Sequence, residues 1–371
     1  MSESKKKRVV AMAPHEEGWF NVELVKDCGL VPYLLYKNHG CDAVMVGVRA
    51  EEYTYLDTCV KGMQMEFLPD GRMETKCRYI KDNAGRIDGL VLRGCYPVNF
   101  YFAKIYKKCN PAGKIYVGLD ANSVWMDQID WEEEEFREFM DSCDVIAVSC
   151  RVMQEYLNIK WPWKIECIPN GYYNFSGYQA VPVFEKKDNI ILTVGRIGSA
   201  QKATHVLLEA FAMIYEKFPE WKVRLAGSME ADFHKYLADY FERFPELKER
   251  VLPLGEIRNR GVLFGEYLNA KIFALPSVVE GGAPNVIPEA LNAGCVTAVT
   301  KYDAYEDATN GGKCGMAAEI NDISGFARIL SELCGSGNLA RMAENAYQYG
   351  KDYFNMEKIV ARLNEMLFEG N

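Results

Sequence analysis

The stretch Ile272-Phe-Ala-Leu275-Pro-Ser277-Val-Val-Glu280-Gly-Gly-Ala-Pro-Asn-Val-Ile-Pro-Glu289-Ala-Leu-Asn-Ala-Gly294 reads as a strand, a loop and the start of a helix. The apolar run 272–275 suits a buried strand, and Glu289 follows a proline at a position where a helix is expected to begin. Strand, glycine-containing loop and helix start, in that order, belong to the carboxyl end of a parallel sheet, where α/β folds hold ligands. The amides of such a loop favour phosphate. The acids flanking it, Glu280 and Glu289, suit hydroxyl groups, because a carboxylate accepts strong hydrogen bonds from several O–H donors at once. Phosphate and hydroxyls together point to a nucleotide sugar.

Outward from that stretch, short β-type runs alternate with segments of helical period. Strands are expected at 190–194, 222–226, 251–254, 272–275 and 295–300, with helices over 204–217, 232–243 and 288–293. The first half repeats the pattern, with strands at 8–12, 42–48, 89–93, 115–119 and 145–149 and amphipathic segments at 21–37, 99–108 and 132–141. The acids at 132–135 fit a solvated first turn, where negative charge suits the helix dipole. This is the grammar of βαβ units. The pattern breaks at 179–189, which has no period. The expected fold is therefore α/β: two Rossmann-like domains, each a doubly wound parallel sheet, with the site between them. Residues 1–185 form the first and 186–350 the second, with 351–371 a terminal helix packing back toward the first.

The 371 residues allow two to three domains. Hydrophobic residues at 49% and charged residues at 26% are ordinary for a soluble globular chain. A net charge of −9, from 43 basic and 52 acidic residues, argues against nucleic-acid binding and against a wholly basic membrane-binding surface. The 12 cysteines are scattered singly from Cys28 to Cys334, which fits buried reduced thiols. No apolar run approaches the roughly 20 residues that cross a bilayer, and the charged start runs into a strand without a signal-peptide core. A cytoplasmic protein is expected. No metal-ligand spacing appears, and no cofactor is expected.

A second loop, Thr193-Val-Gly195-Arg196-Ile-Gly198-Ser-Ala-Gln-Lys202, also leaves the end of an expected strand and precedes a helix. Its glycines permit a tight turn, and two cations at a helix entrance suit a diphosphate. Taken alone it also fits an ordinary surface turn. It gains weight because both loops leave carboxyl ends of strands in one expected sheet.

These loops stand in a longer series: Cys143-Asp-Val-Ile-Ala-Val-Ser149, Ile168-Pro-Asn-Gly171, Val194-Gly-Arg196 with Lys202, Val223-Arg-Leu-Ala-Gly227, Leu254-Gly255, Leu275-Pro-Ser277, and Glu280 with Glu289-Ala290. In that order they resemble the GT-B glycosyltransferases, specifically the retaining group 1, or family 4, enzymes. The resemblance covers residues 143–368 and extends to the first domain only in general layout. It implies GT-B architecture with an interdomain cleft, and metal-independent, retaining transfer of a hexose-like sugar. The donor would be a nucleoside diphosphate sugar, with UDP favoured as common in the family. The acceptor would be a hydroxyl of a glycan or lipid-linked molecule, as in polysaccharide biosynthesis. By the same resemblance, Arg196 and Lys202 neutralise the departing diphosphate and Glu280 holds the donor sugar. Glu289 binds ribose, while Gly195 and the amides of Gly282, Ala283, Asn285 and Val286 line the donor; Pro284 has no N–H to give.

The chain departs from the family at several points. Glu280 and Glu289 are one residue further apart than is usual, and the gap from Arg196 to Lys202 is longer. Many relatives carry a histidine after the strand corresponding to 115–119, where this chain has Asp120-Ala-Asn122. Asp120 either plays a polar role there or caps the following helix. His15 and Gly18 follow the first strand, where relatives place a loop near phosphates and acceptor; with Asp120 they are candidates for that side. His39, His205 and His234 read as structural. Tyr96, Phe100, Tyr101, Phe102 and Tyr106 either stack on sugar or form core. Relatives acting on lipid-linked acceptors often dock on membranes, and residues 5–8 offer either a small basic handle or a solvated terminus. The altered loops and absent histidine also sustain a second reading: a catalytically inactive GT-B-like subunit that binds glycan or assists a partner.

Overall fold

Strands buried on both faces of a parallel sheet need continuous apolar runs, and all ten strands expected from the sequence form. The computed structural model describes residues 6–175 and 181–370. They fall into two units, Met1–Tyr173 with Met356–Asn371, and Asn174–Asn355. In the first unit the strands are β1 (Arg8–Met12), β2 (Asp42–Gly47), β3 (Gln64–Phe67), β4 (Gly89–Arg93), β5 (Lys114–Gly118), β6 (Val145–Val148) and β7 (Ile165–Cys167). They pair in the order β3-β2-β1-β4-β5-β6-β7, all parallel. The strand order reverses between β1 and β4, and such a switch point is where α/β sheets bind ligands.

The second unit repeats the plan with β8 (Asp188–Val194), β9 (Lys222–Ala226), β10 (Val251–Gly255), β11 (Ala270–Leu275), β12 (Val296–Thr300) and β13 (Gly315–Ala318). Their order is β10-β9-β8-β11-β12-β13, again parallel. β8 and β11 are neighbours, with Phe273 opposite Leu192. The 195–202 and 276–285 loops therefore leave adjacent strands at the switch point. Ile191, Val206, Leu207, Phe211, Trp221 and Phe326 are among the side chains filling the core behind them.

The division between units falls at Tyr173, twelve residues ahead of the expected 185. The aperiodic segment packs on the second unit: Pro182 abuts Gly294, Phe184 joins the core, and Lys271 lies 5.0 Å over the Phe184 ring. Gln179 and Ala180, at the start of that segment, lie outside the described residues. The last helix, Met356–Phe368, belongs with the first unit. Its Met356 N–H donates to the Tyr172 carbonyl at 3.1 Å, and Phe368 presses on Gly89, where a Cβ would come within 2.8 Å of the ring.

Three strands were not expected, for recognisable reasons. β3 is polar at Gln64 and Glu66, β7 has three residues, and β13 reads Gly-Met-Ala-Ala. The expected helix 21–37 is a 3-10 turn, Asn21–Val25, and a helix, Asp27–His39, broken at extended Lys26. The 204–217 helix ends at Ala212. All twelve cysteines carry free thiols. Among the described residues no helix is long and apolar enough to cross a membrane. Lys5 lies outside them, and Arg8 is no free basic handle: its guanidinium pairs with Asp42 and Glu66.

Candidate functional site

Gly198 lets the loop after β8 turn back, with φ of +86° and a Cβ position only 2.3 Å from the Phe233 side chain. That turn brings Arg196 and Lys202 against the loop after β11. Arg196 Nη2 donates to Gln201 Oε1 at 2.6 Å. The Gln201 Nε2 donates to the Val279 carbonyl at 3.0 Å and to Glu280 Oε2 at 3.4 Å, and the Gln201 carbonyl accepts from the Val278 N–H at 2.9 Å. Lys202 Nζ donates to Glu280 Oε1 at 2.5 Å. Two cations and an acid picked from sequence thus form one hydrogen-bonded cluster. The linker, Gln201, was not foreseen, though its place beside Lys202 in the lengthened loop was a signal. A side-chain amide both accepts and donates, so it can bridge a guanidinium and a carboxylate.

Glu289 lies in a separate cluster, in the first turn of the helix Val286–Asn292. Its Oε1 accepts from Arg260 and its Oε2 from the Tyr267 hydroxyl at 2.8 Å. Both partners ride the helix Arg260–Asn269, capped by the Asn259 side chain, which accepts from the N–H groups of Gly261 and Val262. Burial, then the Glu289 charge, raises the Tyr267 phenol well above its ordinary pKa, so its proton stays available to donate. Glu289 is thus more than a favourable first-turn charge: two side chains hold it. Neither was singled out from sequence. In the loop between the acids, Gly282 takes a φ of +95°, Ala283 is buried, and Asn285 precedes the helix that Val286 opens.

In the first unit, a cavity of about 40 Å³ opens at the carboxyl ends of β1, β4, β5 and β6. Arg93, the last residue of β4, sits there between two acids: one nitrogen pairs with Asp27, and Nη2 donates to Asp120 Oδ1 at 2.8 Å. Asp27 is buried. The Cys28 thiol in the same cavity is pushed up to about 12 by burial and stays neutral. Asp120 does not cap the next helix; Asn122 does, accepting from the Trp125 N–H at 2.9 Å. Asp120 also raises the pKa of Tyr96, second to burial. Arg93 and Asp27 were missed, although a charge closing an apolar strand at its carboxyl end is itself a signal.

His15 is exposed, its ring 5.9 Å from that of Tyr96, and its carbonyl accepts from the buried Lys76 at 2.6 Å. Gly18 closes that turn with φ of +83°, and a Cβ there would lie 2.2 Å from the Val48 oxygen. The 96–106 aromatics divide. Phe102 and Tyr106 are buried and Phe100 packs on Phe139 at 4.7 Å, while Tyr96 and Tyr101 are exposed. His39, His205 and His234 all lie on helices. Among the described residues no group of three or more His, Cys, Asp or Glu could hold a metal ion.

Two units, each a doubly wound parallel sheet flanked by helices, have the architecture of the GT-B glycosyltransferases. Residues 188–336, which lie within the second unit, match the family model described as Glycosyl transferases group 1. A similar curated protein is a phosphatidyl-myo-inositol mannosyltransferase of Mycolicibacterium smegmatis, 22% identical over 189 residues. That match spans 49% of this chain and 47% of the relative, about half the length of each. Among solved structures, HepE from Anabaena in complex with UDP superposes with a TM-score of 0.75 at 15% identity, covering 97% of this chain and 98% of that one. Sucrose-phosphate synthase from Thermosynechococcus elongatus gives 0.73 at 15% identity over the same shares. At such identity these neighbours speak to the fold alone.

Proposed function

We propose that this chain is a retaining glycosyltransferase. It would move a hexose-like sugar from a nucleoside diphosphate donor to a hydroxyl of a glycan or lipid-linked acceptor. The observation that carries the reading is the Arg196–Gln201–Glu280–Lys202 cluster, two cations and a sugar-compatible acid tied together at the ends of neighbouring strands. In the reaction the bond from the anomeric carbon to the diphosphate breaks. Arg196 and Lys202 stabilise the charge that gathers on the leaving oxygens, the work a metal ion does in other transferase folds. The acceptor hydroxyl adds to the face that the diphosphate leaves, and its proton passes to that diphosphate.

Glu280 holds hydroxyls of the donor sugar. Glu289 takes ribose hydroxyls; a carboxylate offers about four lone-pair positions, and Arg260 and Tyr267 each use one. The acceptor is read by the first unit, with Asp120 in its cavity and the neighbouring rings of His15 and Tyr96 as the candidate contacts. Uridine is the base we favour, in keeping with the UDP carried by HepE.

Thermal unfolding against UDP, GDP and ADP, with Glu289→Ala as control, tests the donor site. A nucleotide at about 100 times its Kd adds roughly 2.7 kcal/mol, seen as a rise of several degrees that shrinks in the control. No shift with any of the three favours the inactive-subunit reading. The anomeric configuration of the product, read by NMR, tests retention.

A further inference from the structure

Lys202 and Glu280 face different tasks in the donor site, one toward phosphate and one toward sugar, yet each neutralises the other at 2.5 Å. Little water reaches them: the Glu280 side chain is 7% exposed and that of Lys202 17%. The second Glu280 oxygen receives the long 3.4 Å bond from the neutral Gln201 amide. Arg196 differs. Its partner is that same neutral amide, so it can turn to a phosphate without stranding a charge.

We propose that the Lys202–Glu280 pair makes the site select an intact sugar nucleotide over the free nucleoside diphosphate. The pair has this effect only if Arg196, Lys202 and Glu280 are the donor site. A diphosphate that takes Lys202 draws the ammonium away from Glu280 and leaves a buried carboxylate with one weak neutral donor. Burying a carboxylate without compensation is costly. A donor that also brings sugar hydroxyls replaces the lost ammonium with O–H donors in the same step. A free nucleoside diphosphate brings none, so it binds against the full cost of the stranded acid. Once the sugar has moved to the acceptor, the diphosphate left behind is in that position. Lys202 returns to Glu280 and release is favoured.

Calorimetric titration tests this. The wild-type protein is titrated with UDP, GDP and ADP, and the nucleotide that binds is carried to Glu280→Gln. That variant keeps the shape and the amide contact but removes the charge that holds Lys202. Free nucleoside diphosphate is expected to bind the variant about tenfold tighter, or roughly 1.4 kcal/mol, although the substitution deletes a site residue. Where Glu280→Gln fails to fold, Glu280→Ser, which admits water, carries the same expectation. Affinity that is unchanged or weaker in the variant overturns the inference and leaves the donor site standing. Wild-type protein that binds none of the three nucleotides overturns the donor site and the inference together.

Discussion

The two units place polar clusters of opposite balance at the carboxyl ends of their sheets. In the first, one cation, Arg93, stands between two anions, Asp27 and Asp120. In the second, two cations, Arg196 and Lys202, gather around one anion, Glu280. A surplus of positive charge attracts a diphosphate; a surplus of negative charge repels one and suits hydroxyl donors. The same sheet plan thus presents two chemistries, and the difference lies in a few loop residues. Sorting the effects of substitutions by unit tests whether that contrast is functional.

The largest effect is expected from Arg196→Ala. Loss of one donor to the developing diphosphate charge should lower turnover about 10²–10³-fold, or roughly 2.7–4 kcal/mol, measured as release of nucleoside diphosphate from the donor. Arg196 is exposed, so folding stability should stay within about 0.5 kcal/mol. A fall in turnover of threefold or less would mean that positive charge in the second unit is not the basis of catalysis.

Arg93→Met should do the reverse. It takes the guanidinium away from the buried Asp27 and should cost about 2 kcal/mol in denaturant unfolding, while nucleotide affinity, which the proposed function assigns to the second unit, stays within threefold. Asp27→Asn added to that variant should recover part of the loss, because a neutral amide costs less to bury than a carboxylate. A tenfold loss of nucleotide affinity in Arg93→Met would break the division of labour between the units.

The second cluster was legible from sequence and the first largely was not. Arg196, Lys202 and Glu280 sit in loops whose glycines and neighbouring strands announce a ligand-binding turn, and the required chemistry narrows the residue types. The apolar runs that became β1, β4, β5, β6, β8, β9, β11 and β12 were equally readable, because burial on both faces leaves little freedom of composition. Arg93 closes an apolar strand and Asp27 opens a helix, 66 residues apart, and nothing local to either position says that the two meet. Their meeting depends on the strand order, which periodicity does not reveal. Tyr267 and Arg260 were hidden for a related reason: both lie on one helix and serve a residue on the next, so they looked like ordinary surface and core positions. Gln201 was passed over because it is uncharged.

Gly18→Ala tests whether the loop bearing His15 is shaped by its backbone. With φ of +83° and the Val48 oxygen 2.2 Å from the new Cβ, alanine should cost about 1–2 kcal/mol from the left-handed conformation alone, more if the loop shifts. Acceptor KM should rise while nucleotide affinity holds, if the first unit reads the acceptor. Weaker nucleotide binding with unchanged acceptor KM would move this loop to the donor side.

Tyr267→Phe should give the smallest effect and separates two roles for one hydroxyl. The ring remains and its packing with Phe273 is kept, so the change removes only the bond to Glu289 Oε2. Arg260 still pairs with the other oxygen, and stability should fall by about 1 kcal/mol. Nucleotide affinity should drop only severalfold, because Glu289 keeps its charge and gains an unclaimed lone pair while losing some of its fixed orientation. The two readouts must move together if Tyr267 acts by holding Glu289. Unchanged stability with a tenfold loss of affinity would mean that the hydroxyl serves the nucleotide directly, and that Arg260 alone keeps Glu289 in place.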